Sequence, residues 1–130
     1  MTPTDWVKSA ELDLKTAKSL SEKAEFSAPV AFHSQQAAEK SLKAIILEKK
    51  LLISRVHDLR KLAKEADITQ DNILDKLKYL NRFYNPTRYP DAIAGSLEEG
   101  LPTSKQAKEA LKDAKEVVEF VKKQLENLPE

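Results

Sequence analysis

Apolar residues recur at three- and four-residue steps along nearly the whole chain, the spacing that lines one face of an α-helix. Trp6, Val7, Ala10, Leu14, Ala17, Leu20 and Ala24 predict a first helix. Ahead of it, Thr2-Pro3-Thr4-Asp5 offers a hydroxyl cap, a proline at the first helical position and an acid at the third. The pattern breaks around Glu25-Phe26-Ser27. Ser27 is expected to cap a second helix, with Ala28-Pro29 in the first turn, where a missing N–H costs little. That helix is expected to run to about Lys50. At about 100° per residue, Val30, Ser34, Ala37, Ser41, Ala44 and Ile45 share one of its faces, with Ala38 at the edge. Side chains this small let a neighbouring backbone come close. The second helix is therefore expected at the centre of a bundle, packed tightly against the first.

Ser54 or His57 is expected to open a short third helix carrying Leu59, Leu62, Ala63 and Ala66, and Ile73, Leu74, Leu77 and Leu80 predict a fourth. The stretch from Arg82 to Pro102 then holds both glycines and three of the six prolines. A loop of that length inside a compact domain is uncommon and often functional. The last helix is announced by Thr103-Ser104-Lys105-Gln106, a capping box. Its stripe comprises Ala107, Ala110, Leu111, Ala114, Val117, Val118, Val121, Leu125 and Leu128, and on the opposite face Lys112/Glu116 and Glu119/Lys123 are spaced to pair. No run alternates with a period of two. The expected fold is all-α: an antiparallel bundle of four long or medium helices plus a short one, with a long Pro/Gly loop before the last helix, forming one domain over residues 1–130.

Composition removes several classes of function. The chain has no cysteine, so disulfides, thiolate metal sites and a cysteine nucleophile are excluded. With two histidines a dedicated zinc site is not expected, and neither a metal nor a cofactor is assigned. Two glycines, Gly95 and Gly100, cannot build a phosphate-cradling Gly-rich loop. No apolar stretch reaches the roughly 20 residues that span a bilayer. The N-terminal residues lack the layout of a signal peptide, so a cytoplasmic location without membrane association is expected.

Net charge is only +1, yet it is unevenly placed: Lys40 to Lys64 contains eight basic residues against two acids. Arg55 and Arg60 flank His57, and Arg82 and Arg88 flank Tyr84. A basic patch of this kind suits phosphate, with Lys40 and Arg55 as its members beside His57; the alternative is a solvated lysine face. His57 is either a general base or, more simply, a ring whose nitrogens tie a loop to a neighbouring helix. In Tyr84-Asn85-Pro86-Thr87-Arg88-Tyr89-Pro90-Asp91, the prolines stiffen the backbone around Arg88. Tyr84 and Tyr89 then suit stacking on a base, and Arg88 suits a phosphate. The competing reading is a plug that seals the end of the bundle, with Arg88 paired to Glu39 or Glu11. Gln36, Glu39 and Phe32 lie away from the small-residue stripe and are expected to form a partner surface.

Four segments stand in order: Ala10-Glu11-Leu12-Asp13-Leu14, then Gln35-Gln36-Ala37-Ala38-Glu39-Lys40-Ser41-Leu42-Lys43-Ala44, then His57-Asp58-Leu59, and finally the Tyr84–Asp91 stretch. Together they resemble the HEPN domain over roughly residues 5 to 126. The resemblance implies an up-and-down helical homodimer, encoded beside a minimal nucleotidyltransferase partner, commonly as a toxin–antitoxin pair, and able to bind nucleotide or RNA. Many HEPN domains are metal-independent ribonucleases carrying an Arg-x4–6-His signature. Here the corresponding positions are Lys50, Leu51 and Leu52 before His57, and Phe26, Ser27 and Ala28 before His33. None is arginine. The resemblance thus points to a non-catalytic nucleotide-binding module, the alternatives being a ribonuclease with a degenerate motif or a purely protein-binding adapter.

Overall fold

The computed structural model of the chain describes residues 1–84, 93–98 and 100–128. It is all-α: α1 (Pro3–Leu20), a 3-10 turn (Ala24–Phe26), α2 (Ser27–Lys50), α3 (Leu59–Glu65), α4 (Asp71–Asn81) and α5 (Ser104–Glu126). Among the described residues there is no strand, only an isolated bridge between Leu97 and Gly100.

Local chemistry sets the helix ends. At α1 the Thr2 hydroxyl accepts from the Asp5 amide (3.1 Å) while the Asp5 carboxylate accepts from the Thr2 amide (2.9 Å), and Thr103 and Gln106 do the same for α5. Each box satisfies two amides that the helix itself cannot. α2 starts differently from the expectation. Ser27 is its first residue rather than its cap, and its hydroxyl donates to the Ala24 carbonyl at 2.8 Å. The 3-10 turn runs straight into α2, so no extended residue is present to act as a cap. Nor does Ser54 or His57 open α3. Asp58 caps it, accepting from the Arg60 amide at 2.9 Å, while Asn81 at the end of α4 accepts from the Leu59 amide at 3.0 Å. That second bond joins residues far apart in sequence, which local spacing cannot reveal.

α2 packs against both α1 and α5, and α5 also packs on α4. Its small-residue face is buried throughout: Val30, Ser34, Ala37, Ser41, Ala44 and Ile45 meet no solvent to speak of, and Ala10 and Ala17 of α1 are equally closed. The serines do not compromise the seam, because Ser34 donates to the Val30 carbonyl (2.7 Å) and Ser41 to the Ala38 carbonyl (2.9 Å) within α2. Ile45 borders the larger core, where it and the adjoining Leu42 and Ile46 join Leu59, Leu62, Leu77, Leu80 and Phe83. The charged pairs differ from those expected on α5: Glu116 pairs with Lys76 of α4 (3.1 Å), and Glu119 with Lys122 one turn on in α5 itself (3.7 Å).

Candidate functional site

Gln35, Glu39 and Lys43 stand one turn apart on α2, so they rise along a single face. All three are buried, Glu39 to 4% exposure. Its Oε1 accepts from Gln35 Nε2 at 3.2 Å, and its Oε2 takes Lys43 Nζ at 3.1 Å and stands 3.0 Å from His57 Nδ1. Gln36 Nε2 in turn donates to Gln35 Oε1 at 2.8 Å. Lys43 Nζ lies 5.8 Å above the ring of Trp6, a cation over an aromatic face. A buried ion pair of this kind is tolerable when neighbours replace the lost water, and here the two Glu39 oxygens meet Gln35, Lys43 and His57 while Lys43 has the Trp6 ring beside its bond to Glu39.

His57 comes from the link between α2 and α3. Its ring is stacked on Tyr84, with centroids 5.3 Å apart and planes 18° from parallel, and its side chain is 50% exposed. A carboxylate only accepts, so Nδ1 is the donor in this contact, which leaves Nε2 as the acceptor whenever the ring is neutral. Burial, with the Glu39 charge behind it, pushes the Tyr84 phenol above its usual range. Beyond Tyr84, a small cavity is lined by Phe32, Phe83, Ile93, Ala94 and Gly95.

The expected site residues divide. His57 and Tyr84 are brought together, with Gln36 close behind. Arg55 is exposed two residues before His57. Lys40 is engaged elsewhere: its Nζ sits 2.8 Å from Asp13 Oδ2, an ion pair without hydrogen-bond alignment, while His33 Nδ1 stands 2.8 Å from Asp13 Oδ1. Arg88 and Tyr89 lie outside the described residues. Glu39 is a correction. It is not part of an open partner surface, because the α2–α3 link lays His57 over its carboxylate. Phe32 and Gln36 are half-buried beside it, so the mixed face of α2 is largely covered. Helical periodicity identifies such a face but not the segment that closes it. Lys43 and Trp6 are not among the expected site residues; the i, i+4 step from Glu39 to Lys43 is the available signal, and such spacing suits a surface pair equally well.

A separate ionisable group lies on α5. Asp113 is buried, and its carboxyl is pushed up to about 6 by that burial and by the charge of Glu109, with Glu116 adding to the rise and Lys76 and Lys112 opposing it. The folded chain thus holds a proton there that the unfolded chain has already released. This contribution favours folding at acid pH and is lost as pH rises from about 4 through about 6. Asp113→Asn is expected to remove that slope and to stabilise the fold at neutral pH by on the order of 1–2 kcal/mol, discounted for solvent around the neighbouring charges. Urea midpoints of both proteins between about pH 4 and pH 7 check it.

Among the described residues, no group of three or more His, Asp or Glu could hold a metal ion, and no helix is long and apolar enough to cross a membrane. The family model described as "HEPN domain" matches residues 4–124. A protein of Methanocaldococcus jannaschii named "Putative toxin MJ1304" is 32% identical over 129 residues, covering 90% of this chain and 84% of its own length. The crystal structure of ST0689, described as an archaeal HEPN homologue, superposes with a TM-score of 0.76 at 30% identity, over 95% of this chain and 98% of that one. TT1696 from Thermus thermophilus superposes with a TM-score of 0.75 at 27% identity, over 93% and 96% of the two chains.

Proposed function

Because the chain belongs to the HEPN domain family, we propose that it is a non-catalytic, homodimeric module that binds nucleotide or RNA phosphate and works with a minimal nucleotidyltransferase in a toxin–antitoxin pair. The observation that carries the binding role is the half-exposed His57 ring, fixed from behind by buried Glu39 and from the side by Tyr84. A planar, pre-oriented surface beside the exposed Arg55 suits a base and its phosphate, since little side-chain freedom is lost on binding. The relative's name supports the toxin–antitoxin context.

Titration of labelled ATP and of a short labelled RNA at low salt tests this reading. Binding is expected to weaken as salt is added, and Arg55→Ala or Arg88→Ala should each lower the salt slope by about 1. Affinity that is absent, or indifferent to salt, leaves the adapter reading in its place. One observation favours the ribonuclease alternative: a histidine whose Nδ1 is held by a carboxylate has the orientation that a general base requires. RNA cleavage that survives chelation and disappears in His57→Ala would establish it.

A further inference from the structure

The link from α2 to α3 begins with Leu51-Leu52-Ile53, three apolar side chains in succession that are all more than half exposed, Leu51 to 89%. Leu51 ends α2 in the left-handed conformation (φ 53°, ψ 33°), its amide donating to the Leu47 carbonyl at 2.9 Å. Glycine fills that helix-ending position at least cost. A leucine there strains its backbone and gives its side chain to water, so neither local conformation nor the core accounts for it.

The same end of the bundle carries a notch of about 320 Å³ between the start of α1 and the end of α5. Val7 and Leu125 make it apolar, and Glu48 and Glu126 stand on its walls. Lys122, also on the wall, is already engaged by Glu11 (3.4 Å) and Glu119 (3.7 Å). Glu48 and Glu126 meet no cation among the described residues, and both are exposed. Glu48 lies three residues before Leu51 in the last turn of α2, so knob and notch adjoin at the end of that helix. Lys49, Lys50 and Arg55 flank the knob in sequence and are exposed, Lys49 donating to the Ala66 carbonyl at 2.9 Å and Lys50 only loosely held by Asp67 at 3.8 Å. A basic apolar knob beside an acidic apolar notch is self-complementary, which is what a two-fold interface demands.

We infer that this end of the bundle is the contact with a second copy of the chain, each Leu51–Ile53 knob entering the other copy's notch. The inference rests on the dimer in the reading above and assigns its surface. Sedimentation over a concentration series tests it with a knob variant, Leu51→Gly/Leu52→Ser, and a notch variant, Glu48→Arg/Glu126→Arg. Each alone is expected to weaken association by about tenfold or more. An equimolar mixture is expected to regain a dimer, because one unaltered knob then meets one unaltered notch. The knob variant should keep its helicity and, at a concentration where the parent too is monomeric, a melting temperature at or above that of the parent. A parent that stays monomeric, or dimers of undiminished affinity in both variants, overturns the assignment. So does a monomer whose knob instead drives co-sedimentation with phosphatidylglycerol vesicles, which would make the knob a lipid contact. Titrating ATP against the knob variant separates this outcome from failure of the phosphate reading, since His57 and Tyr84 are untouched.

Discussion

Gly95→Ala is expected to cost about 3 kcal/mol or more and to detach the segment that precedes α5. Gly95 has φ +91°, a conformation that side chains rarely adopt, and a Cβ built on it would stand 1.9 Å from the Ala28 carbonyl oxygen and 2.8 Å from its carbon. The obstacle is helical backbone, so no rotamer can relieve it. Ala28 is buried and held within α2, which leaves residues 93–98 as the part that moves. With them go the burial of Ser96 and Leu97 and one wall of the cavity beside Phe32, Phe83 and Tyr84. Gly100 supplies the control. It has φ +127° but nothing within 4 Å of where a Cβ would stand, so Gly100→Ala carries only the backbone strain, on the order of 1–2 kcal/mol. Urea denaturation read by circular dichroism compares the two, and hydrogen exchange at residues 93–98 locates the loss. Equal midpoints for both variants would mean that the close approach to Ala28 is not maintained in solution.

The two glycines also show what spacing alone reveals. Their clustering before the last helix was visible, as was the unusual length of that loop, yet the one that contacts α2 was not distinguishable from the one in open space. The helices were legible because burial follows a period that sequence records directly: the alanine and serine stripe of α2, the capping boxes at Thr2 and Thr103 and the end near Lys50 all appear as expected. Entry into α2 and α3 was not, since the first depends on a preceding 3-10 turn and the second on the Asp58 cap acting together with Asn81, a residue from another helix. The site lies between these cases. His57 and Tyr84 stood out by their neighbours, and the simpler reading of His57, a ring tied to an adjacent helix, agrees with its bond to Glu39. The burial of Glu39 and Lys43 was hidden, because an i, i+4 ion pair looks the same whether water or protein covers it.

That hidden pair carries the second large effect. Glu39→Ala is expected to destabilise the fold by about 3–5 kcal/mol, because it leaves the buried Lys43 ammonium without its counter-charge and removes the acceptor of Gln35 and His57 together. The loss belongs to the stranded cation rather than to the ion pair as such. Replacing both partners with apolar groups, Glu39→Leu/Lys43→Met, should therefore recover much of it, since the interior no longer has a charge to desolvate. Glu39→Gln also takes the counter-charge from Lys43, so it is expected to cost part of the same stability, and its binding is compared with the parent's at a temperature where both are folded. It retains the size of the side chain but turns an amide donor toward groups that also donate, so His57 loses its fixed orientation while the helices persist. Salt-sensitive nucleotide binding is expected to weaken in this variant, and the Tyr84 phenol should fall toward its ordinary value once the carboxylate behind it is gone, read from phenolate absorbance on alkaline titration. A Tyr84 titration unchanged by the substitution would place the Glu39 charge outside its reach, and an unchanged affinity would leave Glu39 a stabilising residue with no part in positioning His57.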